Sequence, residues 1–537
     1  MKKKLIISSL TLVILGSVAF KTVKNDFFEI AKQIEIFTNL YKEINMNYVD
    51  EVSPAELMDT AISAMLADLD PYTVYWNEQQ VMEGRIKNQG DYAGIGANIE
   101  SFTDKILIKS LDKNSPADKA DLKIGDEIIQ IAAIDISDYQ EDAGELLQGE
   151  TGTTVKITFK RHGKTQETKL KRGKHEKKAV PYHELLEDKT GYIALDQFTK
   201  TASSEVISAF KKLKSEGASQ IILDLRNNPG GLLSEAINIT NIFVEKGTTI
   251  VKTQSVIDKY NKTYITQNKA LDTEIPLVVL INQNSASASE IVSGSLQDLD
   301  RAVIIGSRSF GKGLVQRPKK LNYGTQAKIT ISRYYTPSGR SIQALDYIDG
   351  VAVRKKEETY QKFETRNGRE VYSGGGILPD VLIDNEGANA LTKALDEANM
   401  LFGFANTYYA ENSQLDISNF KTKNLVSDFK KYVEKSDFEF ESKTERELQK
   451  LKEIAKKENI YTSVHKDFEA LRKKVLNAEN HLFDDSNAQL ELSLAKEIIK
   501  RYTYQEGIYN YLLNKGESIA KAKNILNNSK AYQKILK

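Results

Sequence analysis

Val278-Val279-Leu280-Ile281-Asn282-Gln283-Asn284-Ser285-Ala286-Ser287-Ala288-Ser289-Glu290 decides the fold. The apolar run from Ile275 to Asn282 reads as a strand buried on both faces. Tiny residues follow, and a helix begins at about Ser287. Small side chains let another chain approach the backbone closely. A helix N-terminus offers N–H groups and the positive end of a dipole, which suits a developing oxyanion. A serine at such a turn can be exposed and aimed. A serine-rich helix cap would read the same way, so the stretch alone names no nucleophile.

Working outward, the pattern keeps alternating. Gly191 to Phe198 and Gln220 to Arg226 are strand-like, and Arg301 to Gly306 follows as a further strand. Between them Ser203 to Glu216 is helical, with Val206, Ile207, Phe210 and Leu213 on one face. Leu232 to Val244 is helical again. Strands alternating with helices predict a layered α/β core.

The flanks differ. In residues 88–172, Ile106 and Ile108 alternate with polar neighbours, as do Val155, Ile157 and Phe159. Arg161-His162-Gly163-Lys164 reads as a hairpin turn. Residues 25–87 read as a packed helical pair. Phe27, Ile30, Ile34, Phe37 and Tyr41 recur at helical spacing, and Ser53-Pro54-Ala55-Glu56 is a capping box opening a helix through Leu69. Residues 388–537 are Lys/Glu-rich and helical, with one stripe of Leu425, Phe429 and Tyr432 and another of Phe468, Leu471 and Val475.

Composition narrows the chemistry. The 537 residues carry 75 Lys+Arg against 74 Asp+Glu, a net charge of +1, so no excess of positive charge argues for nucleic acid. There is no cysteine, hence no disulfide and no thiolate nucleophile. No zinc-ligand spacing or Walker-type loop is present, and no cofactor or metal is expected. Lys2 to Lys4, the apolar run Leu5 to Phe20 and Ser17-Val18-Ala19 read as a signal peptide over 1–24, with an uncleaved anchor as the alternative. Either predicts an extracytoplasmic protein.

Two further motifs carry chemistry. Ser309-Phe310-Gly311-Lys312-Gly313-Leu314-Val315-Gln316 places a lysine between glycines after a buried strand. A lysine acts as a base only if its pKa falls from about 10.4 toward neutrality, as burial can achieve. Alone it reads more readily as an exposed turn lysine. Asp224-Leu225-Arg226-Asn227-Asn228-Pro229-Gly230-Gly231 ends a strand in a loop whose backbone N–H groups are unobstructed. None of the five histidines, 162, 175, 183, 465 and 481, lies between 190 and 387. A Ser/His/Asp triad would have to borrow its base from another domain, whereas a Ser/Lys pair would not.

The ordered set of motifs resembles the carboxyl-terminal processing peptidases, or tail-specific proteases, over residues 30–385. They are Leu69-Asp70-Pro71 with Tyr75; Tyr92-Ala93-Gly94-Ile95-Gly96; Ser115-Pro116-Ala117 through Gly125-Asp126; Asp224 to Gly231; Ser285 to Glu290; Gly311-Lys312-Gly313; and Gly374-Gly375-Gly376-Ile377-Leu378-Pro379-Asp380. The resemblance implies Ser287 as nucleophile, with Ser285 and Ser289 as rivals. It implies Lys312 as general base and Gln316 as the residue orienting it. The N–H groups of Ala288 and of a loop glycine, Gly231, would form the oxyanion hole.

It also implies a multidomain α/β and α+β fold: a helical segment over 25–87, a PDZ domain over 88–172, a crotonase-like protease core over 173–387 and a helical domain over 388–537. In the PDZ domain, Gly94, Ile95 and Gly96 would receive a peptide's terminal carboxylate while the tail adds as a strand. Arg172 is a candidate sensor. Asp121 and Asn284 depart from the family, which usually has glycine at both. The expected function is endoproteolysis near the C-termini of extracytoplasmic proteins, in the periplasm, on substrates with free, disordered tails. The alternatives are a catalytically silent PDZ scaffold and an acyl-transforming enzyme of the crotonase type. Residues 388–537 lie outside the resemblance and could dimerise the chain, contact a regulator or cap the core.

Overall fold

The computed structural model describes residues 27–89, 91–102, 105–136, 143–176, 178–348, 351–383 and 389–537. The predicted signal peptide lies outside them. The described residues fall into two compact units, one of those up to Tyr75 with Val351, the other of those from Trp76 to Ile348 and from Ala352 to Lys537.

In the first unit a helix over 27–47 and the helix Pro54–Ala67 are joined by the Tyr41 hydroxyl, which donates to Pro54 O at 2.7 Å. Ser53 caps the second helix as its sequence predicts, and Asp68 ends it one residue before Leu69. The packed pair is not found. Pro54–Ala67 buries no residue, and Phe27, Ile30, Ile34 and Phe37 are all exposed.

The second unit is built on a six-stranded sheet. Its order is Tyr182–Leu185, Thr190–Ala194, Gln220–Asp224, Leu277–Ile281, Val303–Gly306 and Val381–Leu382. The first pair is antiparallel and the other pairs are parallel. The reason for the unbroken apolar runs is now visible. Ile193, Ile221, Leu223, Val279, Ile281 and Ile304 face a core closed by the helices Ala202–Ser215, Leu233–Thr240 and Ala288–Asp298. Tyr192, Ile222, Val278, Leu280, Val303 and Ile305 face the opposite way. That face is covered by Ile519, Ala522, Ile525, Leu526 and Tyr532, from the helices Glu517–Leu526 and Ser529–Ile535. Both faces of the four central strands are dry, so none of these alternates. The last two helices of the chain are therefore the third layer of the core.

The PDZ segment is a mainly antiparallel sheet that includes Ala97–Phe102, Lys105–Leu111, Glu127–Ile131, Thr154–Arg161 and Lys164–Lys171. His162 and Gly163 close the last hairpin with φ of 50° and 75°, the left-handed pair that a two-residue turn requires. Asp121 is likewise left-handed (φ 61°), which explains the family's preference for glycine there. Aspartate tolerates this conformation, and its carboxylate pairs with Lys123 Nζ at 2.8 Å.

The remaining helices join these parts. Phe402, on Met400–Glu411, belongs to the PDZ core and stacks on Phe102 with centroids 5.2 Å apart. Lys109 Nζ lies 4.8 Å and the Arg501 guanidinium 4.6 Å from the Phe402 ring. From the long helix Asn487–Lys515, Tyr504 donates to Asp118 Oδ1 at 2.5 Å, while Tyr509 donates to Asp196 of the α/β core. Tyr504 has φ 56° at a kink in that helix. Leu425 and Phe429 are buried with Leu490 and Leu494, and Tyr432 packs against them as its stripe predicts. In the second stripe Phe468 is buried but Leu471 is half exposed.

Phe402→Ala is expected to cost about 3–5 kcal/mol, the usual loss for a buried phenylalanine. The loss should be local. Hydrogen exchange should speed up in Lys105–Leu111 and Thr154–Arg161 while Leu277–Ile281 keeps its protection.

Candidate active site

The three motifs leave the carboxyl ends of three adjacent parallel strands, Gln220–Asp224, Leu277–Ile281 and Val303–Gly306. Parallel α/β sheets place their ligand sites at this edge. Strand order thus brings together segments that are about 20 to 90 residues apart in the chain.

The serines separate by environment. Ser285 is fully buried; its hydroxyl donates to Leu225 O at 2.8 Å and accepts from Asn282 N at 2.9 Å. Ser289 is fully buried and donates to Asn228 O at 2.9 Å. Both hydroxyls serve the scaffold. Ser287 is part-exposed and sits at φ 55°, ψ −109°, just before the first residue of Ala288–Asp298. A non-glycine residue in such a conformation is strained and is held by its surroundings. The restraints are visible. Ser287 N donates to Glu290 Oε2 at 2.8 Å, and Ser287 O accepts from the Tyr334 hydroxyl at 3.3 Å.

The Asp224–Gly231 loop packs under this turn. Asn228 is fully buried. Its Nδ2 donates to Leu195 O at 2.7 Å, and its Oδ1 accepts from Gly230 N at 2.9 Å. Its carbonyl accepts from Ala286 N at 3.0 Å. Asn284, the second departure from the family, donates from Nδ2 to Asn227 Oδ1 at 2.9 Å and so ties the two loops together. Asp224 is held by Arg226 and by the Tyr192 hydroxyl at 2.6 Å. Burial and that carboxylate push the Tyr192 phenol well above its usual range.

Gly230 and Gly231 play different parts. The bridge between Phe198 and Gly231 uses Gly230 O and Leu232 N. Gly231's own N–H therefore lies on the other side of the segment, where the residue is exposed. Gly230 N–H is already spent on Asn228. At φ 98°, a Cβ on Gly230 would stand 2.7 Å from Ala286 O, 2.9 Å from Ala288 N and 2.9 Å from Ser287 Cβ. The loop needs glycine there because the serine turn lies against it.

Lys312 is part-buried on the third loop, and its N–H donates to Glu290 Oε2 at 2.9 Å. The same carboxylate oxygen thus holds the backbones of Ser287 and Lys312. Gln316 lies on Leu314–Lys320 opposite Thr330 and donates from Nε2 to its Oγ1 at 3.2 Å. Burial raises the Glu290 carboxyl above its usual range, while hydrogen bonds from Ser309, Lys312, Ser287 and Gly311 pull it down.

The PDZ residues form a separate group. Gly94, Ile95 and Gly96 are buried at the start of the sheet; Ile95 O accepts from Ala117 N at 2.8 Å, and Gly96 O accepts from Asp112 N at 2.9 Å. Arg172 is pinned within the domain, donating to Leu146 O at 2.8 Å and Leu147 O at 3.0 Å. Among the described residues no cluster of His, Asp or Glu could hold a metal ion.

Sequence reasoning named Glu290 only as the end of a motif and missed Asn228 and Tyr334 as braces. The Ser-x-x-Glu spacing of Ser287 and Glu290 is a capping-box signature that could have flagged the first. Nothing local marks Tyr334.

Comparison with known proteins agrees with this architecture. Residues 189–353 match the model "Peptidase family S41", residues 93–171 "PDZ domain", residues 391–526 "Probable PDZ-protease, C-terminal helical domain" and residues 17–80 "Activating protease CtpB N-terminal domain". A Staphylococcus epidermidis protein described as "Probable CtpA-like serine protease" is 31% identical over 407 residues, which is 74% of this chain and 82% of that one. A Staphylococcus haemolyticus protein of the same description is 35% identical over 315 residues; the match spans 58% of this chain and only 63% of its relative. Among solved structures, the "Photosystem II D1 C-terminal processing protease" aligns at 26% identity over 66% of this chain and 93% of that chain, with a TM-score of 0.37. The chain belongs to peptidase family S41, alongside the CtpA-like serine proteases.

Gly230→Ala is expected to cost about 1–3 kcal/mol in strain, plus displacement of the serine turn. Gly217→Ala, at φ 104° with nothing within 4 Å of a Cβ, is the control. Urea midpoints should place Gly230→Ala clearly below it.

Proposed function

We propose that this chain is a serine endopeptidase working through a Ser287/Lys312 dyad, with its PDZ domain capturing the substrate tail. The observation that carries it is the division of labour in the serine turn. Two of its three serine hydroxyls are locked into the scaffold. The third is part-exposed at a strained helix start, fastened through Glu290 to the lysine loop.

The chemistry follows from those positions. Ser287 Oγ attacks the scissile carbonyl carbon while the neutral Lys312 amine takes the hydroxyl proton. The carbonyl oxygen becomes an oxyanion, received by the N–H groups of Ala288 and Gly231. Collapse breaks the C–N bond, and Lys312 returns the proton to the leaving amine. Water then attacks the acyl-enzyme, with Lys312 again taking and returning a proton. Gln316, anchored at Thr330, presents its side-chain oxygen toward the lysine in this reading and limits its rotamers.

The PDZ role is supported by the exposed-strand logic of such domains. A free C-terminal tail adds as a strand and its carboxylate meets the N–H groups around Gly94 to Gly96. Substrates would be extracytoplasmic proteins with disordered tails, in keeping with the basic and apolar start of the sequence.

Digestion of a disordered protein by residues 25–537 tests the reading. The parent should cleave it, and Ser287→Ala and Lys312→Ala should each lose at least about 10³-fold in kcat. Cleavage retained by Ser287→Ala would overturn the assignment. No cleavage by the parent, with tail peptides still bound, would favour a silent scaffold.

A further inference from the structure

We propose that Glu290 is a positioning residue for the peptidase reaction: its single carboxylate clamps the nucleophile turn to the loop carrying Lys312, and only an ionised, acceptor-only group can serve. The proposal rests on the Ser287/Lys312 reading and adds to it a residue that touches neither substrate nor reacting atoms.

Glu290 is fully buried in the first turn of Ala288–Asp298. Its Oε2 accepts from Ser287 N at 2.8 Å and Lys312 N at 2.9 Å. Its Oε1 accepts from Gly311 N at 2.7 Å and from the Ser309 hydroxyl at 2.5 Å. Ser309 Oγ in turn accepts from Ile377 N at 2.6 Å. That bond orients the hydroxyl, so its proton goes to Glu290. All four partners are donors.

A helix cap alone would need only the bond to Ser287. The other three bonds go to residues 19 to 22 positions away, on the loop from the neighbouring strand. Burying a carboxylate is costly unless donors replace its water, and this one is matched donor for donor. Glutamine has the same shape but one acceptor oxygen. Its amide group would face two donors, either the N–H groups of Ser287 and Lys312 or the Gly311 N–H and the Ser309 hydroxyl. Aspartate is one methylene short of the far loop. The clamp therefore selects glutamate by charge and by length.

The consequence is geometric. The Lys312 amine can reach the Ser287 hydroxyl only while the two backbones keep their separation, and small misplacements of reacting groups cost about 10²-fold in rate.

The test compares the parent with Glu290→Gln, Ser309→Ala and Ser287→Ala on a disordered protein substrate, reading kcat and KM separately, tail-peptide affinity and thermal unfolding. Glu290→Gln should lose about 10²-fold in kcat, with KM and peptide affinity within about twofold and a cooperative melt. Ser309→Ala keeps the carboxylate but removes one of its four bonds together with the acceptor for Ile377 N, so it should lose about 10-fold in kcat and still fold. If Glu290→Gln does not fold, Ser309→Ala decides. Parental kcat in the folded glutamine variant, or in Ser309→Ala when that variant decides, overturns the clamp while an inactive Ser287→Ala leaves the dyad standing. An active Ser287→Ala overturns both.

Discussion

The structure depends on one constraint, that the parallel sheet is apolar on both faces. Leu277–Ile281 has no exposed side, so each face needs a helical layer. One layer comes from the crossover helices that parallel strands require. The other comes from the last 21 residues of the chain, Glu517 to Lys537. The Tyr532 hydroxyl even completes a strand end, accepting from Leu277 N at 3.0 Å. The C-terminal region is thus partly inside the catalytic core.

That arrangement gives Asn487–Lys515 its role. It lies between helices that belong to the core and helices that complete the PDZ domain. Through Tyr509 it holds Asp196, in the segment whose Phe198 pairs with the glycine loop; through Tyr504 it holds Asp118 of the PDZ domain. The Lys113–Glu506 pair, at 2.6 Å, adds little because both side chains are about half exposed. The apolar stacking of Phe402 on Phe102 is the stronger tie. The PDZ domain and the S41 core are joined by one helix.

At the carboxyl edge of the sheet the backbone is held by buried side chains. Asn228, Ser285 and Ser289 consume the donors and acceptors of two loops. Buried polar groups must be paired, and here the pairing also sets the shape of the turn. Ser287 itself is held in its strained conformation by Glu290 of the helix it precedes and by Tyr334.

The amino-acid sequence by itself determined what is local. Apolar runs, helical stripes, the His162-Gly163 turn and the Ser53 cap follow from periodicity and turn chemistry, and these place the layered core and the PDZ segment. The ordered motifs carried the family resemblance, which implies Ser287 and Lys312. Tertiary structure decided what depends on partners far along the chain. It left Phe27 and Ile34 exposed despite their helical spacing, because a stripe says that a face is apolar and not what covers it. It put Phe402 into the core of a domain 300 residues upstream, and it spent Ser285 and Ser289 on carbonyls about 60 residues away. Glu290 is the sharpest case. As a letter it ends a helix-capping signal, and only strand order brings Ser309, Gly311 and Lys312 within reach of its two oxygens.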